Sequence, residues 1–386
     1  MDAIQLNIAG DLFLGGKLEP IAEKDPESLF DQKILGLFAG ADFNIVNLES
    51  PLTTASEDQK IVKTGPNLKA SPRTAGVLDL LKINLATLAN NHIYDYGDQG
   101  LADTLELCKI HNIATVGAGP TLIEASKIFL KKIGHHTIAF VNIAENEWGN
   151  ANAGHGGANP MNIIANTRSI REAKKLAEIV ILIIHGGHEY YHYPSPRMVD
   201  QYRYYAEQGA SVIISHHAHY LSGYETYEGV PIFYGLGNFL FHTPNASKGW
   251  LEGLLLNLRI SPEKEIAWQL HPFRQGKEDF KVALLEGEEK VMVENEIAQI
   301  NAVIANAEKL EEKFAELVES QKKYVLSMFS TSYLINQRYF RSAIRKLGME
   351  RLFLRRSQLK SIMNYSRCEA HKDITFAILL KYLKAK

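Results

Sequence analysis

A chain of 386 residues with 46% hydrophobic and 22% charged residues and a formal net charge of -2 is long enough for one large catalytic domain plus an appendage, and its charge excludes a global attraction to nucleic acid or anionic membrane. Its two cysteines, Cys108 and Cys368, are far apart and fit neither a disulfide framework nor a thiolate metal site, so metal chemistry is expected to rest on nitrogen and oxygen ligands in a reduced cytoplasm. Met1-Asp2-Ala3-Ile4 runs into an apolar segment without a basic leader, and no run approaches the roughly 18 to 20 apolar residues of a membrane span, which predicts a chain neither secreted nor membrane-spanning.

Short β-like runs at Ile4 to Ala9, Asn44 to Leu48, Asn84 to Leu88, Ile113 to Val116, Thr137 to Ile143, Ile179 to Ile184 and Val212 to Ser215 alternate with helical stretches, an α/β pattern. Gly97 to His111 places Leu101, Leu105 and Cys108 on one helical face; Pro196 to Gln208 does the same with Met198, Tyr202 and Tyr205, and Gly209 closes it. After His219 come Gly- and Pro-punctuated strands around Val230 to Tyr234, Leu254 to Ile260 and Glu265 to Leu270, which predict a second sheet of antiparallel character.

A charged stretch between Gln275 and Glu289 suggests a boundary, giving a catalytic domain over 1–275 and a helical, basic region over 290–386. The latter opens on an apolar stripe of Ile297, Ile300, Ile304, Ala307, Leu310, Phe314, Leu317 and Val318. From Arg338 to Lys386 there are 13 Lys or Arg against 3 Asp or Glu, interleaved with Phe340, Leu347, Leu352, Phe353, Ile362, Phe376, Ile378 and Leu379. Such a tail is either a helical subdomain with a solvated basic face or a surface for an anionic partner or membrane.

Five segments carry the chemistry, each at the end of an apolar run: Gly10-Asp11, Asn47-Leu48-Glu49-Ser50, Ala89-Asn90-Asn91-His92, His185-Gly186-Gly187-His188-Glu189 and Ser215-His216-His217-Ala218-His219. In open α/β sheets ligands sit beyond the carboxyl ends of the strands, so these side chains are delivered to one place. Taken singly, Asp11 reads as a turn residue, Asn90 or Asn91 as a helix cap, and His185 as a core histidine. Together, carboxylate, amide and imidazole suit a pair of cations, and the histidine cluster at 216 to 219 is the strongest single signal. Neither a Gly-x-Gly-x-x-Gly or Walker-type phosphate loop nor a Gly-x-Ser-x-Gly nucleophile elbow is present.

Over roughly residues 4 to 245 these segments, with Asp95, Gly97, Gly117-Ala118-Gly119 and Tyr234-Gly235-Leu236-Gly237-Asn238-Phe239, resemble the calcineurin-like metallophosphoesterase superfamily, more closely its capsule-synthesis CapA (poly-γ-glutamate synthesis) branch. The resemblance implies a metallophosphoesterase-like four-layer α/β/β/α sandwich with a C-terminal helical appendage. It also implies that Asp11, Glu49 and His219 hold one divalent ion (Mn, Zn or Fe) and that Glu49, Asn91, His185 and His217 hold another. His92 would act as the acid near the leaving group, while His188, Glu189 and His216 would orient ligands or contact substrate. Two departures stand out: the superfamily's Asp-x-His is here Asp11-Leu12-Phe13, which removes one imidazole, and its bridging Asp is here Glu49.

The leading expectation is a metal-dependent hydrolase of a phosphoester or γ-glutamyl amide in an anionic surface polymer or its precursor. The alternative is a polymer-binding or assembly protein of a capsule or polysaccharide system, with a structural or vestigial metal site and a basic tail that meets membrane-associated biosynthesis proteins at the inner membrane face. Nucleic acid is the least favoured partner, because the core shows no aromatic-basic groove pattern.

Overall fold

The first strand sets the layering, because Ile4, Leu6 and Ile8 make one face apolar and the opposite face, with Asn7 and Ala9, is buried too, so both must be covered. The computed structural model describes residues 3–244, 246–329, 346 and 356–384. Its strands in chain order are β1 (Ile4–Phe13), β2 (Phe43–Leu48), β3 (Leu85–Thr87), β4 (Ala114–Val116), β5 (Ala118–Gly119), β6 (Phe129–Ile133), β7 (His136–Ala144) and β8 (Gly157–Ala158). They continue with β9 (Ile179–His185), β10 (Val212–His216), β11 (Tyr224–Tyr227), β12 (Val230–Phe233), β13 (Asn238–Phe241), β14 (Glu252–Ile260), β15 (Ile266–Gln275) and β16 (Val282–Leu284).

The first sheet runs β16-β15-β14-β1-β2-β3-β4, with β13 parallel to the end of β1; the second runs β11-β12-β10-β9-β7-β6. Ile4, Leu6 and Ile8 of β1 and Phe43 and Ile45 of β2 pack with Phe140 of β7 and Ile181 and Ile183 of β9 in the core between the sheets. The opposite face, Ala9, Leu12, Val46 and Leu48, packs on Leu18, Ile34, Phe38, Leu78 and Leu101 from the first set of helices. The outer face of the second sheet is covered by helices Ile163–Leu176 and Pro196–Glu207, which contribute Ile170, Ala173, Met198 and the fully buried Tyr202 and Tyr205. The layers are therefore α/β/β/α, and the expected strands and both expected helices are present.

The strands after His219 do not build a second antiparallel sheet. β14 and β15 form a hairpin that joins the first sheet against β1, antiparallel from Ile4↔Ile260 to Ile8↔Leu256. β12 instead joins the second sheet parallel to β10. The reason is burial: β14 is almost wholly buried and needs a neighbour on its β1 side, which a separate sheet would not supply.

Beyond residue 275, β16 pairs with β15, and helix Gly287–Ile304 places Val293, Ile297, Ile300 and Ile304 in the core between the sheets, joined by Leu310. Helices Ala307–Phe329 and Glu369–Lys384 pack together through Val318, Val325, Ile374 and Ile378. Phe376 of the tail stripe is 71% exposed, whereas Ile378 is buried; Phe340, Leu347, Leu352 and Phe353 lie outside the described residues. Among the described residues no helix is long and apolar enough to cross a membrane.

Candidate metal centre

Parallel pairing of β1 with β2, β2 with β3, β7 with β9 and β9 with β10 aligns their carboxyl ends along one edge of the sandwich. Asp11 is the register partner of Asn47, and His216 that of His185. The register of β1 slips on either side of Asp11, a bulge that re-aims its side chain. The preceding residue must be glycine: a Cβ at Gly10 would lie 1.9 Å from the carbonyl oxygen of Gly237. The first sheet thus supplies Asp11 and Glu49, and the second supplies His185, with His217 and His219 in the turn after β10.

That turn is held in an uncommon conformation, with His217 at φ 88° and His219 at φ 58°, each costing about 1–3 kcal/mol for a residue with a Cβ. Two contacts hold it. The His217 backbone N–H donates to Asp11 Oδ2 at 3.1 Å, and His219 Nδ1 meets Asn238 Oδ1 at 2.9 Å. Asp11 Oδ1 accepts from Asn47 Nδ2 at 2.7 Å, and the same amide nitrogen lies 3.2 Å from His185 Nδ1.

Two ligand groups emerge, and both contain Glu49. Asp11, Glu49 and His219 offer ligand atoms within 4.8 Å of one another, and so do Glu49, His185 and His217. Asn91 joins the second group through Oδ1, 3.1 Å from His185 Nε2, a nitrogen that also faces His217 Nδ1 at 3.0 Å and Glu49 Oε1 at 3.5 Å. A single imidazole N–H cannot serve three such neighbours. Glu49 is wholly buried, and neither of its oxygens has a hydrogen-bond partner; a carboxylate left so costs several kcal/mol unless it is protonated or meets a cation.

The titration directions describe the same frustration. Burial pushes the Asp11 carboxyl up to about 7, and burial together with the charge of Asp11 holds Glu49 well above the carboxylate range. Burial pushes the imidazoles down, His217 to about 4 and His219 to about 3, and His185 falls well below its ordinary value through burial and the neighbouring His217. Carboxylates reluctant to ionise and imidazoles held neutral, all converging, form a donor set that fits a divalent cation. Phe13, in place of an imidazole, packs on Phe241 in a tilted pair with ring centroids 4.9 Å apart and leaves the first group with three ligands.

His92 lies beside this centre in a network of its own. Its Nδ1 is 2.6 Å from Asp95 Oδ2, while the Lys63 ammonium is 2.6 Å from Asp95 Oδ1, 2.9 Å from the Asn91 carbonyl and 3.2 Å from His92 Nδ1. Burial and the Lys63 charge lower the His92 pKa. Burial works to raise Asp95, but His92 and Lys63 outweigh it and hold the carboxyl below its ordinary value.

Of the three further polar residues, His216 ends β10 with Nδ1 unpartnered, 3.8 Å from Asp11 Oδ1. His188 is buried against Phe314 and Tyr191 with Nε2 unpartnered, outside both ligand groups. Glu189 is exposed to solvent at its surface, and its charge adds to the burial and the Asp11 charge that hold Glu49 above the carboxylate range. Sequence reasoning missed Asn47 as a clamp, Lys63, and Glu147, whose Oε2 accepts from Asn91 Nδ2 at 2.8 Å. The signal for Glu147 was present, since Glu145-Asn146-Glu147 follows the apolar β7 as the other segments follow their strands; Lys63 lies in an irregular segment with no such marker.

The chain is 33% identical over 254 residues to "PGA biosynthesis protein CapA" of Bacillus subtilis (strain 168), covering 64% of this chain and 65% of that protein. It is 26% identical over 258 residues to "Capsule biosynthesis protein CapA" of Bacillus anthracis, covering 64% and 61%. The match therefore spans just under two thirds of each relative's length. A solved hypothetical protein from Thermus thermophilus aligns with a TM-score of 0.44 at 13% identity over 70% of this chain and 99% of that one, a likeness too slight to carry an argument. The family described as bacterial capsule synthesis protein PGA_cap matches residues 5–243, a span that contains both ligand groups and more than half of the chain, and the chain belongs to that CapA family.

Proposed function

We propose that the chain is a metal-dependent hydrolase acting on a phosphoester or a γ-glutamyl amide bond in capsule or poly-γ-glutamate synthesis. The observation that carries this reading is Glu49: a fully buried carboxylate with both oxygens unpartnered, shared by two ligand groups. A bound cation pair would supply a water of lowered pKa and neutralise charge on the reacting oxygens. Asp11, Glu49 and His219 would hold one ion, and Glu49, Asn91, His185 and His217 the other. The polymer context follows from the printed names of the relatives.

His92 moves the proton. The 2.6 Å contact with Asp95 assigns the hydrogen of the neutral ring to Nδ1, which leaves Nε2 to take up a proton and hand it to a leaving group. Its lowered pKa makes that proton easy to surrender. Asp95 and Lys63 fix the ring, and Asn47 fixes Asp11 and His185.

The test is hydrolysis of a panel of phosphoesters and γ-glutamyl peptides by chelated and metal-reconstituted protein. Metal-dependent turnover is expected, with His92→Ala lowering kcat on the order of 10²–10⁴-fold at unchanged metal content. A metal-loaded chain that cleaves nothing, with a His92→Ala variant fully functional in the host, overturns the proposal. Phe13, packed on Phe241 where an imidazole is expected, favours one second reading, a polymer-binding or assembly protein. In that case removing residues beyond about 335 abolishes association with polymer or membrane and leaves metal content intact.

A further inference from the structure

Outside the two ligand groups, a third convergence joins the chain's C-terminal helices to the segment after β7. Cys368 and His371 stand three residues apart at the start of helix Glu369–Lys384, on one face of its first turn. Glu147 reaches them from the other side. The thiol, one imidazole nitrogen and one carboxylate oxygen lie within 4.8 Å of one another, and Cys368 is completely buried.

Their mutual contacts are long: His371 Nδ1 is 3.6 Å from Glu147 Oε1 and 3.4 Å from Asn364 Nδ2, while the Cys368 thiol donates to the further carboxylate of Glu145 at 3.7 Å. Glu147 is itself oriented, because its Oε2 accepts from Asn91 Nδ2 at 2.8 Å, and it also lines an open cavity of about 650 Å³. Cysteine, histidine and glutamate in one place, with the carboxylate held from behind, match the donor chemistry of a borderline cation.

We infer that Glu147, Cys368 and His371 bind a divalent cation of borderline softness, zinc foremost, as a thiolate-containing site separate from the candidate centre. The ion clamps the C-terminal helices onto the segment that positions Asn91. This reverses the expectation that neither cysteine serves a metal, which rested on chain distance alone. The site stands independently of the proposed hydrolysis, because its ligands are not shared with Asp11, Glu49, His185, His217 or His219.

Sulfur makes the test selective. The reduced, metal-free full chain is titrated with Co²⁺, and the near-ultraviolet thiolate-to-cobalt charge-transfer band is followed, with zinc content measured in parallel by elemental analysis. The band is expected in the wild type, in Cys108→Ser and in the double variant Asp11→Asn/His217→Asn; it is expected to vanish in Cys368→Ser, with zinc falling by one ion per chain. His371→Ala, partly exposed and read together with circular dichroism, covers the case in which Cys368→Ser misfolds, and its band is expected to weaken or disappear. No band in the folded wild type, or a band that survives Cys368→Ser, overturns the inference. Loss of hydrolysis with this band retained counts against the proposed function alone.

Discussion

Two buried clusters of charged and imidazole groups lie side by side, one around Glu49 and one around Asp95, and they treat their charges in opposite ways. Around Asp95 every charge has an answer: Lys63 and His92 each contact the carboxylate at 2.6 Å, and Lys63 also meets the Asn91 carbonyl. Around Glu49 the carboxyls and neutral imidazoles crowd together with no cationic partner among them, and neither Glu49 oxygen has a hydrogen bond of good geometry. The completed network is a positioning device that needs nothing from outside. The incomplete one is a donor set that a divalent cation would complete.

The sharpest way to break this contrast is to neutralise Glu49. Glu49→Gln removes the ligand common to both groups, so the ions of this centre, counted by elemental analysis in a Cys368→Ser background, are expected to be lost, and any metal-dependent activity with them. The metal-free variant should unfold at a denaturant concentration no lower than the metal-free parent at pH 8, because a reluctant buried charge has been removed. A variant that retains both ions would show that Glu49 is not shared.

Asp95→Ala probes the other side. It strands the Lys63 ammonium, whose side chain is 3% exposed, and should lower unfolding free energy by about 3–5 kcal/mol in urea titrations while metal stoichiometry stays the same. If stability is unchanged and metal is lost, the two clusters are not the separate units described.

Asn47→Ala lies between them in effect. By freeing Asp11 and His185, which its amide touches at 2.7 and 3.2 Å, it is expected to weaken metal affinity about 10–100-fold without removing a ligand, as competition with a chromophoric chelator would show.

Metal affinity is also expected to depend on pH. Because burial holds the Asp11 proton to about pH 7 and Glu49 above its usual range, a cation must expel protons to bind. Affinity should therefore rise by about tenfold or more per pH unit between pH 5 and 7 and level off once the carboxyls have ionised in the metal-free chain. His217 and His219, already neutral above about pH 4 and 3, add nothing to that slope. Calorimetry in buffers of different ionisation enthalpy measures the released protons directly; a flat affinity across pH 5–7 would mean that the carboxylates are already ionised.

Much of the centre was legible in the chain alone. Asp11 lies near the end of β1, His185 ends β9, and Glu49 and His217 directly follow β2 and β10; parallel strands bring such residues to one edge whatever the loops between them do. Asn91, which the family likeness implied as a ligand beside His185, lies 3.1 Å from it. Less legible were residues on segments without periodicity. Lys63 carries no strand or helix signal, and Glu147 acquires meaning only through Asn91 and His371. The hairpin β14–β15 reads as an antiparallel pair in sequence, but whether it adds to the first sheet or starts another depends on which edge β1 leaves open.

The chain by itself determined the α/β alternation, the order of the ligand-bearing strand ends and the amphipathic faces of the helices, because periodicity is a local property that burial rewards wherever a strand or helix packs; the four-layer sandwich was implied only by the family resemblance. Tertiary structure alone decided that one sheet would supply the carboxylates and the other the imidazoles, that Asn238 would anchor His219, and that Cys368 would come within 3.7 Å of a carboxylate 223 positions away. Ligand and charge interactions depend on separations of a few ångströms between side chains, and no spacing along the chain encodes those.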